Sequence, residues 1–159
     1  MSKSVLLSIK PKYCELIASG KKTIEVRKTK PKLDMPFKCY IYETKALYKP
    51  NGCNHLFKGE GKVIGEFVCD KIITDRTFGH DPFFNVLSCM SDTEIASYCT
   101  ENEMYGLHIS DLVIYDKPKE LSEFEKPHEY IYQSYRKQNS FFKGITRPPQ
   151  SWCYVEELI

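Results

Sequence analysis

The pattern of apolar and polar positions changes period at short intervals along this chain. Val5 to Ile9 is an apolar run followed by Lys10-Pro11. Beyond it Tyr13, Leu16 and Ile17 fall at helical spacing, and a proline at the first helical position fits there because its missing N–H has no intrahelical acceptor, so the spacing predicts a helix over 11–19. Gly20 supplies the left-handed residue that ends a helix, and Thr23-Ile24-Glu25-Val26-Arg27 then alternates with period two. On such a strand Ile24 and Val26 face the core, while Thr23, Glu25 and Arg27 share the opposite face.

Further on, Phe37 to Thr44 and Lys62 to Thr74 read as strands rich in β-branched and aromatic residues, with a bend or bulge expected at Gly65. Residues 45–61 between them carry Gly, Pro and Asn and read as a loop or a long hairpin tip inserted in the fold. Ser91-Asp92-Thr93-Glu94 has the form of a capping box, opening a helix through about Thr100 with Ile95 and Tyr98 to Cys99 turned inward. Gly106 to Tyr115 and Ser151 to Leu158 complete the strands. The class expected is α+β, mainly β: one domain over residues 1–159, a small antiparallel β-barrel of five to six strands with two or three helices packed on it.

Composition narrows the function classes. The chain has 159 residues, 42% hydrophobic and 28% charged, a globular balance, and no stretch approaches the roughly 18 apolar residues of a membrane span. The protein is expected to be cytoplasmic, with no membrane partner. Its seven cysteines form no CxxC pair and read as reduced thiols, mostly in the core, and the four histidines form no metal spacing, so neither a metal nor another cofactor is expected. Charge changes the picture more. Residues 1–32 hold nine Lys or Arg against Glu15 and Glu25, a local surplus of seven in a chain whose net charge is +2. Such concentration suits an anionic partner such as a nucleic-acid backbone, and equally suits a solvated surface.

The run Ser8-Ile9-Lys10-Pro11-Lys12-Tyr13, followed by Ser19-Gly20-Lys21-Lys22-Thr23-Ile24-Glu25-Val26-Arg27-Lys28, resembles the signature of the ASCH-domain family of the PUA-like superfamily: strand, helix, then G-x-K-x-x-E-x-R. The later strands look like those of the small phage- and prophage-associated members. The resemblance implies a PUA-like barrel with a cleft beside the first helix that binds RNA, another nucleic acid or a modified nucleoside. Some small members are amidohydrolases that release acetate from N4-acetylcytidine, using a lysine just after the glycine, a threonine three residues later and a more distant glutamate. Lys22 matches the lysine, Glu25 stands where the threonine would be, and Glu94, Glu101 or Glu103 is available as the glutamate.

Two readings of the motif follow. In the binding reading, Lys10, Lys21 and Lys22 hold phosphates, Thr23, Glu25 and Arg27 meet a base edge with mixed donors and acceptors, and Trp152, Tyr13, Tyr40 and Tyr42 are available for stacking. In the catalytic reading, Lys22 and Glu25 act together, Glu25 as a base on water and Lys22 as an electrostatic stabiliser. Without the resemblance, Glu25 and Arg27 would read as a surface ion pair, and Trp152 equally as a plug at the barrel end. Tyr130 to Lys143 reads as a packed helix or a second contact surface.

Overall fold

The alternating runs fold into two sheets that meet at a corner. The structure, a computed structural model, describes residues 2–49, 51–77, 81–98, 103–129 and 144–159. In chain order its elements are β1 (Lys3–Ile9), α1 (Pro11–Ala18), β2 (Ile24–Arg27), β3 (Phe37–Glu43), β4 (Leu47–Tyr48), β5 (Phe57–Lys58), β6 (Val63–Cys69), β7 (Ile72–Asp75), α2 (Pro82–Ser88), α3 (Asp92–Tyr98), β8 (Met104–His108), β9 (Ser110–Lys119) and β10 (Trp152–Glu156). Glu101, Cys99 and the segment 130–143 lie outside the described residues.

The larger sheet has the order β10-β1-β3-β6-β9 and the smaller one β2-β8-β7. Both faces of the larger sheet are covered. Val5, Leu7 and Ile9 pack with Cys14 and Ile17 of α1, whereas Leu6, between them, joins Tyr40, Val63, Phe124 and Val155 on the other side. That explains why β1 reads as an unbroken apolar run rather than an alternating one. A third cluster, Ile24, Val26, Phe84, Ile95 and Met104, lies where α2 and α3 cover the small sheet.

Two expectations need correction. The strands do not form one closed antiparallel barrel: β1 and β3 pair in parallel, across the connection that contains α1 and β2, and the two sheets remain separate ladders. The runs 62–74 and 106–115 are each two strands. β6 gives way to β7 at Asp70-Lys71, and β8 to β9 at Ile109, so the hairpin partners change sheet together; His108 Nδ1 lies 2.6 Å from Asp70 Oδ1 at this corner. Alternation alone cannot register such a bend, because the side-chain period carries through it. Helix α2 is an element that the hydrophobic pattern did not reveal. The local signal was Asp81-Pro82: the Asp81 carboxylate accepts the Phe83 N–H at 2.9 Å, with proline at the first helical position.

The bend expected at Gly65 is present as a register shift between β6 and β9, and a Cβ at Gly65 would stand 2.4 Å from the Val113 carbonyl oxygen. Gly65→Ala must push two backbones apart, so a loss of about 1–3 kcal/mol, read as a lowered thermal midpoint, is expected. Cys14, Cys39 and Cys69 are buried and Cys53, Cys89 and Cys153 half-buried, all as free thiols. Among the described residues no helix is long and apolar enough to cross a membrane.

Candidate functional site

The junction of α1 and β2 gathers charged side chains where water scarcely reaches. Helix α1 ends as its glycine requires: Gly20 takes φ +76°, and the Ser19 and Gly20 amides close on Glu15 and Ile17 carbonyls. The chain then reverses into β2, all four of whose residues are buried. Ile24 and Val26 enter the third apolar cluster, which sends Glu25 and Arg27 to the other face, as period two requires. That face is not solvent, because α1 and the end of β1 cover it. Lys22, Glu25 and Arg27 retain only 2%, 4% and 7% of their accessible surface. The reading of Glu25 and Arg27 as an exposed ion pair is corrected accordingly.

The three form a chain of contacts. Lys22 Nζ donates to the Ser88 carbonyl at 2.7 Å, stands 3.4 Å from Glu25 Oε2 and lies 4.7 Å from the centre of the Tyr13 ring. Ser88 is the last residue of α2, where helix carbonyls lack intrahelical donors and attract a cation. Arg27 Nη1 donates to Glu25 Oε1 at 2.7 Å and to the Val26 carbonyl at 3.0 Å, and Nη2 donates to the Ser8 carbonyl at 2.9 Å. Two polar atoms of this cluster are left over: among the described residues, buried Glu25 Oε2 accepts no hydrogen bond and buried Arg27 Nε donates none. The 3.4 Å contact from Lys22 to Glu25 Oε2 is an ion pair without hydrogen-bond geometry. The arrangement thus offers one acceptor and one donor from the same ion pair.

A second network adjoins the first. Tyr13, half-buried, turns its hydroxyl to Glu94 Oε1 at 3.0 Å, Lys12 Nζ reaches the same oxygen at 2.6 Å, and the Ser91 amide donates to Glu94 Oε2 at 2.8 Å, closing the capping box read from the sequence. Of the two glutamates among the described residues, Glu94 and Glu103, Glu94 is the one that the structure brings to Tyr13. Glu103 is exposed and engaged with Tyr105 and Arg76. Burial pushes the Glu94 carboxyl up, but the hydrogen bonds from Lys12, Ser91 and Tyr13 outweigh it and hold the group down at about 2. Burial, then the Glu94 charge, raises the Tyr13 phenol. A carboxyl with a depressed folded-state value stabilises the fold above its unfolded value, about 4.3, and loses that contribution as the pH falls toward 2. Glu94→Gln is therefore expected to flatten the decline of the thermal midpoint between about pH 4.5 and 2.

The other sequence candidates separate from this centre. Lys10 and Lys21 are exposed at the two ends of α1, and Lys28, Lys30 and Lys32 are exposed beyond β2, so the outer positive rim is distinct from buried Lys22 and Arg27. Thr23 is half-buried and its hydroxyl has no partner. Trp152 pairs with Leu7, donates its indole N–H to Thr29 Oγ1 at 3.1 Å and packs edge-on against Tyr154, beside the main apolar cluster. Tyr40 and Tyr42 are in the core, at 0% and 5% exposure, and are not available to stack on a base. Ser88 and Ser8, which hold Lys22 and Arg27 through carbonyl oxygens, were not legible as site residues, since a backbone acceptor carries no side-chain signal.

The fold is α+β, mainly strands, with buried charged groups at a strand–helix–strand junction. The ASCH domain model matches residues 7–149, and the chain belongs to the ASCH domain family. Its fold is similar to that of an ASCH protein from Zymomonas mobilis, with a TM-score of 0.63 and 19% identity over 97% of this chain and 88% of that one. A tyrosine-to-phenylalanine variant of the Zymomonas protein gives 0.62, 19%, 98% and 92%, and a serine-to-alanine variant 0.59, 18%, 97% and 89%. A search of curated proteins finds no match.

Proposed function

We propose that this ASCH domain binds RNA and holds one nucleobase between α1 and β2. The observation that carries the reading is the pair of unsatisfied buried atoms, Glu25 Oε2 and Arg27 Nε. Leaving a buried polar atom unpaired costs about 1–3 kcal/mol, and a charged one more, so two such atoms in one ion pair are unfavourable unless a ligand completes them. An acceptor beside a donor matches a base edge that presents an N–H next to an acceptor: the amino group and ring nitrogen of cytosine or adenine, or N3–H and O4 of uracil. The exposed lysines 10, 21, 28, 30 and 32 are placed to meet phosphates outside the cleft. Arg27 has a different role from the one its type first suggests. Its two terminal nitrogens are committed to Glu25, Val26 and Ser8, so it presents Nε to a base rather than a fork to a phosphate.

Calorimetric titration with free nucleosides tests this reading. Cytidine and uridine are both expected to bind, and N3-methyluridine, which has no N3–H to donate, about 5-fold or more weakly than uridine. Glu25→Gln is expected to narrow that difference, because an amide both donates and accepts. Equal affinities for uridine and N3-methyluridine in the parent would count against the assignment.

The position of Glu25 Oε2 beside the Lys22 ammonium supports a second reading, hydrolysis of an acyl group carried on the base, as in N4-acetylcytidine. Glu25 would take a proton from water as the water oxygen bonds to the acetyl carbon, then return that proton to N4 as the amide C–N bond breaks, giving cytidine and acetic acid, which ionises to acetate. Lys22 would offset the negative charge that develops on the carbonyl oxygen.

A further inference from the structure

Residues 45–49 and 51–61 are built against the site rather than away from it. β4 and β5 pair as an antiparallel hairpin, and the strand returning from it passes so close to α1 that a Cβ on Gly59 would lie 1.8 Å from the Thr44 carbonyl oxygen and 2.8 Å from Pro11 Cγ. His55 Nε2 stands 3.1 Å from Glu15 Oε1 on the same helix. Lys12 Nζ lies 5.9 Å from the centre of the Tyr48 ring while it also bonds Glu94, which bonds Tyr13, whose ring lies beside Lys22. An unbroken series of contacts therefore runs from the hairpin to the base site.

The surface of this hairpin combines two chemistries. Leu47, Tyr48 and Leu56 are exposed at 70%, 45% and 52%, and the Tyr48 and Phe57 rings lie 6.4 Å apart on paired positions. Lys45, Lys49 and Lys58 are exposed, and none of them forms an ion pair with a described residue. At its base is an open cavity of about 620 Å³ lined by Lys45, Leu47, Lys58, Glu60 and Lys62, of which Lys62 is tied to Glu120 at 2.8 Å. Its volume is within the range of small-molecule sites.

We infer that this hairpin is an arm that grips single-stranded RNA, with Lys45 and Lys58 on phosphates and Tyr48 stacked on a base, and that it extends the base site into a track along α1. The inference rests on the base-site reading above. Unpaired lysines alternating with exposed rings suit a strand with anionic phosphates and π-faced bases, whereas protein interfaces deplete lysine. The track fits a strand better than an isolated nucleoside because Lys12 occupies the ground between the two ends and is already neutralised by Glu94, leaving the cations of the hairpin as the next free charges.

The test uses the full chain, a fluorescein-labelled twelve-nucleotide oligocytidylate followed by anisotropy at several salt concentrations, and cytidine followed by calorimetry. The double variant Lys45→Glu/Lys58→Glu is expected to weaken oligonucleotide binding at least about 10-fold and to reduce the slope of log K against log salt by about 1.4, two phosphate contacts at about 0.7 each. Tyr48→Leu, which leaves the charge unchanged, is expected to weaken it about 5-fold or more. Both variants are expected to keep the parent's affinity for cytidine, which also shows that they fold. Unchanged oligonucleotide affinity and slope in the double variant, or a parent that does not bind the oligonucleotide, overturns the arm. Loss of oligonucleotide binding in the variants of a parent that ignores cytidine supports the arm and removes the base site; cytidine binding with indifferent hairpin variants does the reverse.

Discussion

Arg27→Ala is expected to lower the thermal midpoint by about 6–20 °C and to abolish nucleoside binding in whatever fraction remains folded. The stability loss follows from what the guanidinium holds. Its removal leaves two buried acceptors, Glu25 Oε1 and the Ser8 carbonyl, without their donor and breaks the buried ion pair that carries hydrogen-bond geometry, leaving Glu25 only the Lys22 contact, a change that costs about 3–5 kcal/mol. For a chain of this size each kcal/mol moves the midpoint by about 2–4 °C, so a shift below about 3 °C would mean that the cluster is far wetter than its 4% and 7% exposures imply. Lys30→Ala is the control. Lys30 is exposed on the outer rim, over the Tyr105 ring at 5.3 Å, and its loss should leave the stability within about 0.5 kcal/mol of the parent while lowering RNA affinity only modestly.

The cluster is a poor way to gain stability, which is an argument for its having a function. Three charges with one surplus cation sit at the end of a core that apolar residues would fill at lower cost. Local rules of this kind are broken mostly where a site needs them broken.

Binding of single-stranded RNA is expected to weaken about 50-fold between 50 and 200 mM salt. That figure corresponds to about four phosphates neutralised by the exposed lysines of the rim, each contributing about 0.7 to the slope. Buried Lys22 and Arg27 contribute little, since neither releases counterions from an open surface. A slope near zero would remove the rim from the interface, and a slope near that of nine contacts would mean that the buried cations open to the backbone after all.

Much of the site could be read from the sequence because it is local. Pro11, Gly20 and the alternation of Thr23 to Arg27 specify helix, turn and strand within 17 residues, and that same alternation puts Glu25 and Arg27 on one face. The G-x-K-x-x-E-x-R spacing carried the family, which the match over residues 7–149 establishes. Burial of that face was not legible, because it depends on α1 folding back over β2 and on a carbonyl at the end of α2, 66 residues away from Lys22. The corner between the sheets was hidden for the same reason: Asp70-Lys71 and Ile109 interrupt hydrogen-bonded ladders without interrupting the apolar pattern. Glu94 was one of three glutamates until its distance to Tyr13 separated it from Glu103.

If the catalytic reading holds, incubation with N4-acetylcytidine yields acetate, and Lys22→Ala and Glu25→Gln each stop its release. If the domain only binds, the parent yields no acetate and Glu25→Gln alters affinity alone. Either outcome uses the same residues at the junction of α1 and β2, so the claim on which the account depends is where the base sits. The direct measurement is a crystal structure with soaked cytidine or a short oligocytidylate. The account predicts a cytosine edge within hydrogen-bond distance of Glu25 Oε2 and Arg27 Nε, with the Lys22–Ser88 and Arg27–Ser8 bonds kept. A base bound elsewhere, with both of those atoms still unpaired, would contradict it.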